Sequence, residues 1–86
     1  MASDLANIGL VLKNVGKHEQ AVPKLVEALG IFIAIGEAYG PRQCLAGLIR
    51  CEDELGRKRM EELFKKAGLD GEAIAGLLRM IDQMRQ

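Results

Sequence analysis

The sequence contains no tryptophan, one tyrosine and two phenylalanines, and its 12 basic and 12 acidic side chains leave no formal net charge. Nucleic-acid binding needs a surplus of basic side chains and, for single strands, aromatic rings that stack on bases. Anionic membrane surfaces also attract basic clusters. The composition therefore predicts a protein or peptide as the partner, with no nucleic acid and no membrane.

Long hydrophobic runs are missing as well. The most apolar stretch, residues 28–35, includes a glycine and is far shorter than the about 20 residues that a membrane-spanning helix needs. The first residues contain neither the basic segment nor the apolar run of a secretory signal. We therefore expect a cytoplasmic protein in which residues 1–86 form a single domain with one core.

Histidine and cysteine are scarce, which argues against a metal site and against catalysis. His18 is the only histidine, and Cys44 and Cys51 lie two helical turns apart, about 10 Å along a helix and too far for a disulfide. Nothing nearby in sequence completes a zinc site or orients a Cys–His pair for nucleophilic chemistry. The expectation is two reduced, buried thiols, no metal, no cofactor and no enzymatic activity.

Helical periodicity, by contrast, extends through nearly the whole chain. Apolar residues recur at spacings of three and four, strand-like alternation is almost absent, and glycines and prolines divide the pattern. An all-α fold is predicted. Its five helices run from an N-cap at Ser3 to Gly16, from a start between His18 and Gln20 to about Ile35, from Pro41 to Leu55, from Arg57 to Ala67, and from an N-cap at Asp70 to about residue 85.

The second helix is apolar on all sides in its later half, which predicts that neighbouring elements cover it on both sides. Its only proline, Pro23, suits the first turn, because the missing N–H would be unpaired there in any case; this favours a start near Gln20. Tyr39 is expected to pack across the turn that follows this helix.

Two interpretations are open at Gly56. The acid-to-base pairs Asp53–Arg57 and Glu54–Lys58 have the i, i+4 spacing of one continuous helix. A continuous helix, however, would place the carboxylate of Glu52 in the middle of the apolar stripe, where it loses its hydration. A turn at Gly56 is therefore favoured.

The chain also contains an internal repeat with a period of 40 residues. This shift places Leu5 on Leu45, Ile8 on Leu48 and Gly16 on Gly56, and fails at Leu12/Glu52, Ala21/Glu61 and Leu25/Lys65. The second copy is therefore degenerate.

The first copy resembles the tetratricopeptide repeat (TPR), in its longer 40-residue variety. The matching positions are Leu5, Ile8, Gly9 and Leu12, then Gly16 in the turn, then Ala21, Leu25, Ala28 and Leu29. It departs from the family at Leu5 and Leu12, where Trp or Tyr is frequent, and it lacks the proline that usually closes a repeat. Gly9, Ala21 and Ala28 are expected where two antiparallel helices cross, because short side chains let the backbones approach closely.

This resemblance implies antiparallel helical hairpins stacked as a short right-handed solenoid. Residues 3–36 would form repeat 1, residues 41–67 the degenerate repeat 2 and residues 70–85 a C-terminal capping helix. It also implies a scaffold, that is, a non-catalytic protein–protein interaction module that binds a peptide segment or a helix of a partner protein along its concave face.

Carried over by position, this concave face comprises Asn7, Leu10, Lys13 and Asn14 on the first helix and Gln43, Ala46, Gly47, Arg50 and Asp53 on the third. Asparagine side chains can both donate to and accept from a peptide backbone, and the two cations suit a carboxylate. The alternative is that these are ordinary solvated residues.

Leu10 and Val11 widen the apolar arc of the first helix, and a preceding repeat would cover them in a longer solenoid. An exposed apolar patch is typical of an interface. Three alternatives are therefore open: the chain is a C-terminal fragment of a longer TPR array, two copies pair as a homodimer through this face, or the fifth helix folds back over it.

Overall fold

The structure, a computed structural model, describes residues 2–14 and 16–86, with side chains from residue 4 onwards. These residues contain five α-helices and no strand: α1 (Ala2–Asn14), α2 (His18–Ala34), α3 (Tyr39–Leu55), α4 (Arg57–Lys66) and α5 (Gly71–Arg85). The predicted all-α class and the predicted number of helices are therefore confirmed.

The break between α3 and α4 is at Gly56, as the sequence favours. Gly56 has φ 85° and ψ 156°, a conformation that is open to glycine and strained for residues with a Cβ. In each of the two acid-to-base pairs predicted for a continuous helix, the acid lies before this break and the base lies after it. Arg57 instead donates to Glu52 and Asp82.

The beginnings of the first two helices differ from the prediction. α1 begins at Ala2, one residue before the expected N-cap. α2 begins at His18, the earlier end of the predicted range and not the favoured Gln20, since the N–H of Ala21 donates to the carbonyl of Lys17 at 3.0 Å. Pro23 therefore lies in the second turn of α2, where its missing N–H leaves one carbonyl of an exposed segment without its helical donor.

α3 begins at Tyr39 rather than at Pro41, because Glu37 caps this helix. Its carboxylate accepts the backbone N–H groups of Tyr39 and Gly40, which satisfies donors that have no partner within the helix. Tyr39 does not pack across the turn; it is 68% exposed, and its hydroxyl accepts a hydrogen bond from Gln43. The predicted cap of α5 is confirmed, since Asp70 accepts the N–H of Ala73 at 2.8 Å.

The helices pack in a regular order. Each helix contacts the next one along the chain, and α1–α3, α2–α4 and α3–α5 are also in contact, so that α3 touches all four others. The described residues fit within 30 × 29 × 27 Å. The largest fully buried side chains are Phe64, Leu25, Leu48, Met60, Ile81 and Val22.

Leu25 of α2 packs against two glycines on the neighbouring helices. A Cβ on Gly9 of α1 would lie 2.8 Å from the side chain of Leu25, and a Cβ on Gly47 of α3 would lie 2.9 Å from it. Ala21 and Ala28, the small residues expected at the crossing of the first two helices, are also fully buried. Gly47 is therefore part of the interior, and its predicted place on the exposed face is wrong.

The prediction that neighbours cover both sides of the later half of α2 is also wrong. Ile33 is 52% exposed and Ile35 is 67% exposed. Exposure extends to α1, where Val11 is 60% exposed. Because α5 packs on α3 and α4, it does not cover that face of α1, and this alternative is excluded.

Candidate functional site

A polar cleft of about 300 Å³ lies where the C-terminal ends of α1 and α3 meet the first residue of α2. Its lining residues are Lys13, Asn14, His18, Arg50, Asp53 and Glu54. We call it the α1/α3 cleft. It brings together four side chains that the sequence predicts on one face, namely Lys13, Asn14, Arg50 and Asp53.

The close approach of α1 and α3 accounts for this arrangement. The side chain of Leu10 comes within 3.3 Å of the position that a Cβ on Gly47 would occupy. Lys13 follows Leu10 by three residues, and Arg50 follows Gly47 by three. Residues at this spacing lie on the same face of a helix. Both cations therefore lie one turn beyond the contact, where they line the cleft.

The cleft has mixed charge. Asp53 accepts a hydrogen bond from Arg85 of α5 at 3.0 Å, whereas Lys13 and Arg50 form no ion pair with any described residue. Two cations without an ion-pair partner in the described part of the chain, beside a half-buried histidine, favour an anionic group in the ligand.

The remaining predicted residues lie outside the cleft. Asn7 and Ala46 are exposed on α1 and α3, and Gln43 is exposed and donates to the hydroxyl of Tyr39 at 3.4 Å. Leu10 is half-buried and packs against the core, so its side chain is mainly a contact between α1 and α3.

His18 and Glu54 line the cleft and were not predicted as site residues. His18 is the first residue of α2, next to a turn, and Glu54 belongs to a run of charged residues. Both patterns are typical of ordinary surface residues. A signal was present for Glu54, because the 40-residue shift places Asn14 on it; none singles out His18.

Sequence reasoning also missed an ion-pair network around Glu52. This glutamate of α3 is 8% exposed, and its two carboxylate oxygens accept from Arg57 and from Arg85, each at 2.7 Å. Arg57 also donates to Asp82 of α5 at 2.6 Å. The signal was present in the sequence, because a carboxylate within an apolar stripe requires a partner.

The network keeps Glu52 ionised. Burial alone raises the pKa of this carboxyl group, but the hydrogen bonds from Arg57 and Arg85 outweigh that effect and hold the pKa below its ordinary value of 4.5. Because both oxygens already accept hydrogen bonds from arginine, the arrangement serves to fasten α4 and α5 to α3.

The two cysteines are buried and form no disulfide, as the sequence predicts. Burial raises the pKa of each thiol to about 11, so very little thiolate is present near neutral pH. In the described part of the chain, no group of three or more His, Cys, Asp or Glu side chains is placed to hold a metal ion.

Among residues 2–14 and 16–86, no helix combines the length and apolar character needed to cross a membrane. Comparisons of the chain with protein-family models, with curated protein sequences and with solved structures gave no significant match.

Proposed function

We propose that this chain is a non-catalytic TPR-like interaction module of the cytoplasm, which binds a peptide segment or a helix of a partner protein at the α1/α3 cleft. The observation that carries the proposal is the convergence of Lys13, Asn14, Arg50 and Asp53 on one cleft of about 300 Å³. Residues that are 40 positions apart along the chain thus line one surface.

The packing order of the helices supports the repeat interpretation. In a solenoid of helical hairpins each unit contacts its neighbours, so contacts between successive helices and between alternate helices are expected. Both kinds of contact are present from α1 to α5. Gly9 of α1 and Gly47 of α3 both pack against the side chain of Leu25 of α2. This is the close approach between helices that the small residues of the repeat predict.

The chemistry of the cleft suggests how it holds a peptide. Lys13 and Arg50 are suited to bind an Asp or Glu side chain of the partner, and the amide of Asn14 can both donate to and accept from the peptide backbone. Glu54 offers a carboxylate for a basic residue beside it. An acidic residue in an otherwise extended or helical segment is therefore the expected anchor.

Selection of peptides from a random library tests this proposal. Peptides selected on the wild-type chain should be enriched in Asp and Glu, and the double variant Lys13→Ala/Arg50→Ala should bind them at least about tenfold more weakly, since a charged hydrogen-bonded contact is worth about 1.5–3 kcal/mol. A matched control is Lys24→Ala/Arg42→Ala, which removes two exposed cations outside the cleft. Equal binding by both double variants would show that the cleft is not the site.

Self-association is a second candidate, favoured by the exposed apolar side chains of α1. Val11 is 60% exposed and Ile8 is 48% exposed, one turn apart on the same helix. Leu10, which the sequence assigned to this patch, is half-buried against α3, so the patch consists of Ile8 and Val11. Light scattering after size exclusion should detect a dimer that Val11→Lys dissociates; a monomer at every concentration would rule self-association out.

A further inference from the structure

A second concavity, lined by apolar side chains, lies between α2 and α5. It has a volume of about 330 Å³. Its lining residues are Val26, Leu29, Gly30 and Ile33 of α2, Leu69 from the turn before α5, and Ala73, Leu77 and Met80 of α5. We call it the α2/α5 groove.

The groove exists because α4 is shorter than α2. α2 has 17 residues and α4 has 10, a difference of about 10 Å in length. The ion pair between Arg59 and Glu19, at 2.7 Å, joins α4 to the first turn of α2. The later half of α2 is left open on this side, where Val26 is half-buried and Ile33 is 52% exposed.

We propose that the α2/α5 groove docks an amphipathic helix of a partner protein, with basic residues flanking its apolar stripe. The walls from Val26 to Ile33 and from Ala73 to Met80 each extend about 10 Å, or two helical turns. The apolar residues of each wall recur at spacings of three and four. The anchor residues of an amphipathic helix bound in a groove have the same spacing.

Gly30 gives the groove its depth. It is exposed in the later half of α2, and among the described residues no atom beyond its chain neighbours and the adjacent helix backbone lies within 4 Å of the position of its Cβ. Glycine within a helix weakens it, and no contact inside the domain requires glycine at this position. The open space beside it leaves room for an apolar side chain of the partner.

The charges beside the groove favour a basic helix. Glu27 follows Val26 on α2 and Glu72 precedes Ala73 on α5, both exposed, with Arg79 as the one exposed cation next to the α5 wall. The last turn of α2 contains no basic residue, so the negative end of its helix dipole next to Ile33 is not compensated there.

Other occupants fit less well. No polar side chain lines the groove among the described residues, whereas pockets for small molecules contain a few polar groups that orient the ligand. A second copy related by a twofold axis would place one concave surface against another. A convex helix fills such a surface.

The probe is a labelled amphipathic model helix of leucine and lysine, about 14 residues or four turns long, compared with its leucine–glutamate counterpart by fluorescence anisotropy. The lysine peptide should bind one to one and at least about tenfold more tightly than the glutamate peptide, the discrimination that 1.4 kcal/mol provides. A preference for the glutamate peptide, or no saturable binding of either, would contradict the proposal.

Gly30→Leu fills the groove from α2, and Ala73→Leu fills it from α5. Ala75→Leu is the matched control, because it adds the same bulk at an exposed position of α5 outside the lining. Both filling variants should bind the lysine peptide at least about tenfold more weakly than the wild type while keeping the wild-type circular dichroism spectrum. The control should keep both the wild-type affinity and the wild-type spectrum.

Unchanged binding by both folded filling variants, or displacement of the lysine peptide by laurate at equal concentration, would overturn the proposal. The proposal would also be overturned if the chain self-associates and Gly30→Leu abolishes that self-association. Lys13→Ala/Arg50→Ala should leave binding of the lysine peptide unchanged, so a failure of the α1/α3 cleft is distinguishable from a failure of the groove.

Discussion

Glu52 is a buried carboxylate, and it is the single residue that depends most on its hydrogen-bonding partners. A carboxylate that is 8% exposed has lost most of its hydration, and such a group is tolerated only with hydrogen-bonding partners. Arg57 and Arg85 supply them, and their own side chains are 40% and 34% exposed. The pair energies are therefore reduced by solvent, and the network contributes less than a fully buried one.

Replacing Glu52 by glutamine should lower the free energy of unfolding by about 1–2 kcal/mol, because the neutral amide cannot match the charge-assisted bonds to two arginines. Urea denaturation followed by circular dichroism measures this. Glu62→Gln is the matched control, since Glu62 is 55% exposed and its contact with Arg59 is 3.4 Å long; its effect should be within about 0.5 kcal/mol. Equal effects of the two substitutions would contradict the role of Glu52.

The same residue predicts a pH dependence. The pKa of Glu52 in the folded protein is below its ordinary value of 4.5, so its contribution to stability is fully present above pH 4.5 and is lost as the pH falls through the folded-state pKa. Denaturation between pH 7 and pH 3 should therefore show the gap between wild type and Glu52→Gln closing below about pH 4.5. A constant gap would mean that Glu52 is not ionised in the fold.

Cys44 and Cys51 should react with thiol reagents only when the chain unfolds. Both side chains are fully buried, and burial raises the pKa of each thiol to about 11, so access and ionisation both oppose reaction. At pH 8 a disulfide reagent such as Ellman's should label both rapidly in denaturant and slowly in buffer. Rapid labelling of the native chain would contradict their burial.

For whole helices, hydrophobic periodicity was enough to predict their number, and positive-φ glycines end them where expected. Gly16, Gly36, Gly56 and Gly68 all have positive φ and follow the first four helices. The starting residue of α3 was missed because a side-chain partner determines it, whereas α2 starts with an ordinary backbone bond from Ala21 to Lys17. Glu37 caps α3 from two residues before it, a pattern that composition and spacing alone do not reveal.

Two glycine-to-alanine substitutions should shift stability in opposite directions. Gly9→Ala places a Cβ 2.8 Å from the Cγ of the fully buried Leu25, and should destabilise by about 1–2 kcal/mol even after the gain in helix propensity. Gly30→Ala meets open space and should stabilise by about 0.5–1 kcal/mol. Urea denaturation compares them; stabilisation by both would show that α1 and α2 are not in close contact at Gly9.

At the scale of the molecule, the 40-residue repeat predicted the part of the α1/α3 cleft that lies on corresponding positions of α1 and α3. Glu54 was not predicted, although the same shift places Asn14 on it, and His18 reaches the cleft through the geometry of the α1–α2 turn. The sequence also did not predict the α2/α5 groove, since the apolar later half of α2 was expected to be covered. The difference in length between α2 and α4, and the path of α5, determine that outcome.

The central position of α3 predicts that the domain unfolds in one step. Since α3 contacts all four other helices, no hairpin can separate without exposing it, and small domains of this kind are usually two-state. Leu48→Ala, at a fully buried position of α3, should lower stability by about 2–5 kcal/mol, with the same urea midpoint by circular dichroism and by labelling of Cys44 and Cys51. Val11→Ala, at a side chain that is 60% exposed, should change it by less than about 0.5 kcal/mol. Separate midpoints for helix content and thiol labelling would mean that α1 and α2 persist as an independent hairpin, and that the helices are joined by pairwise contacts rather than through α3.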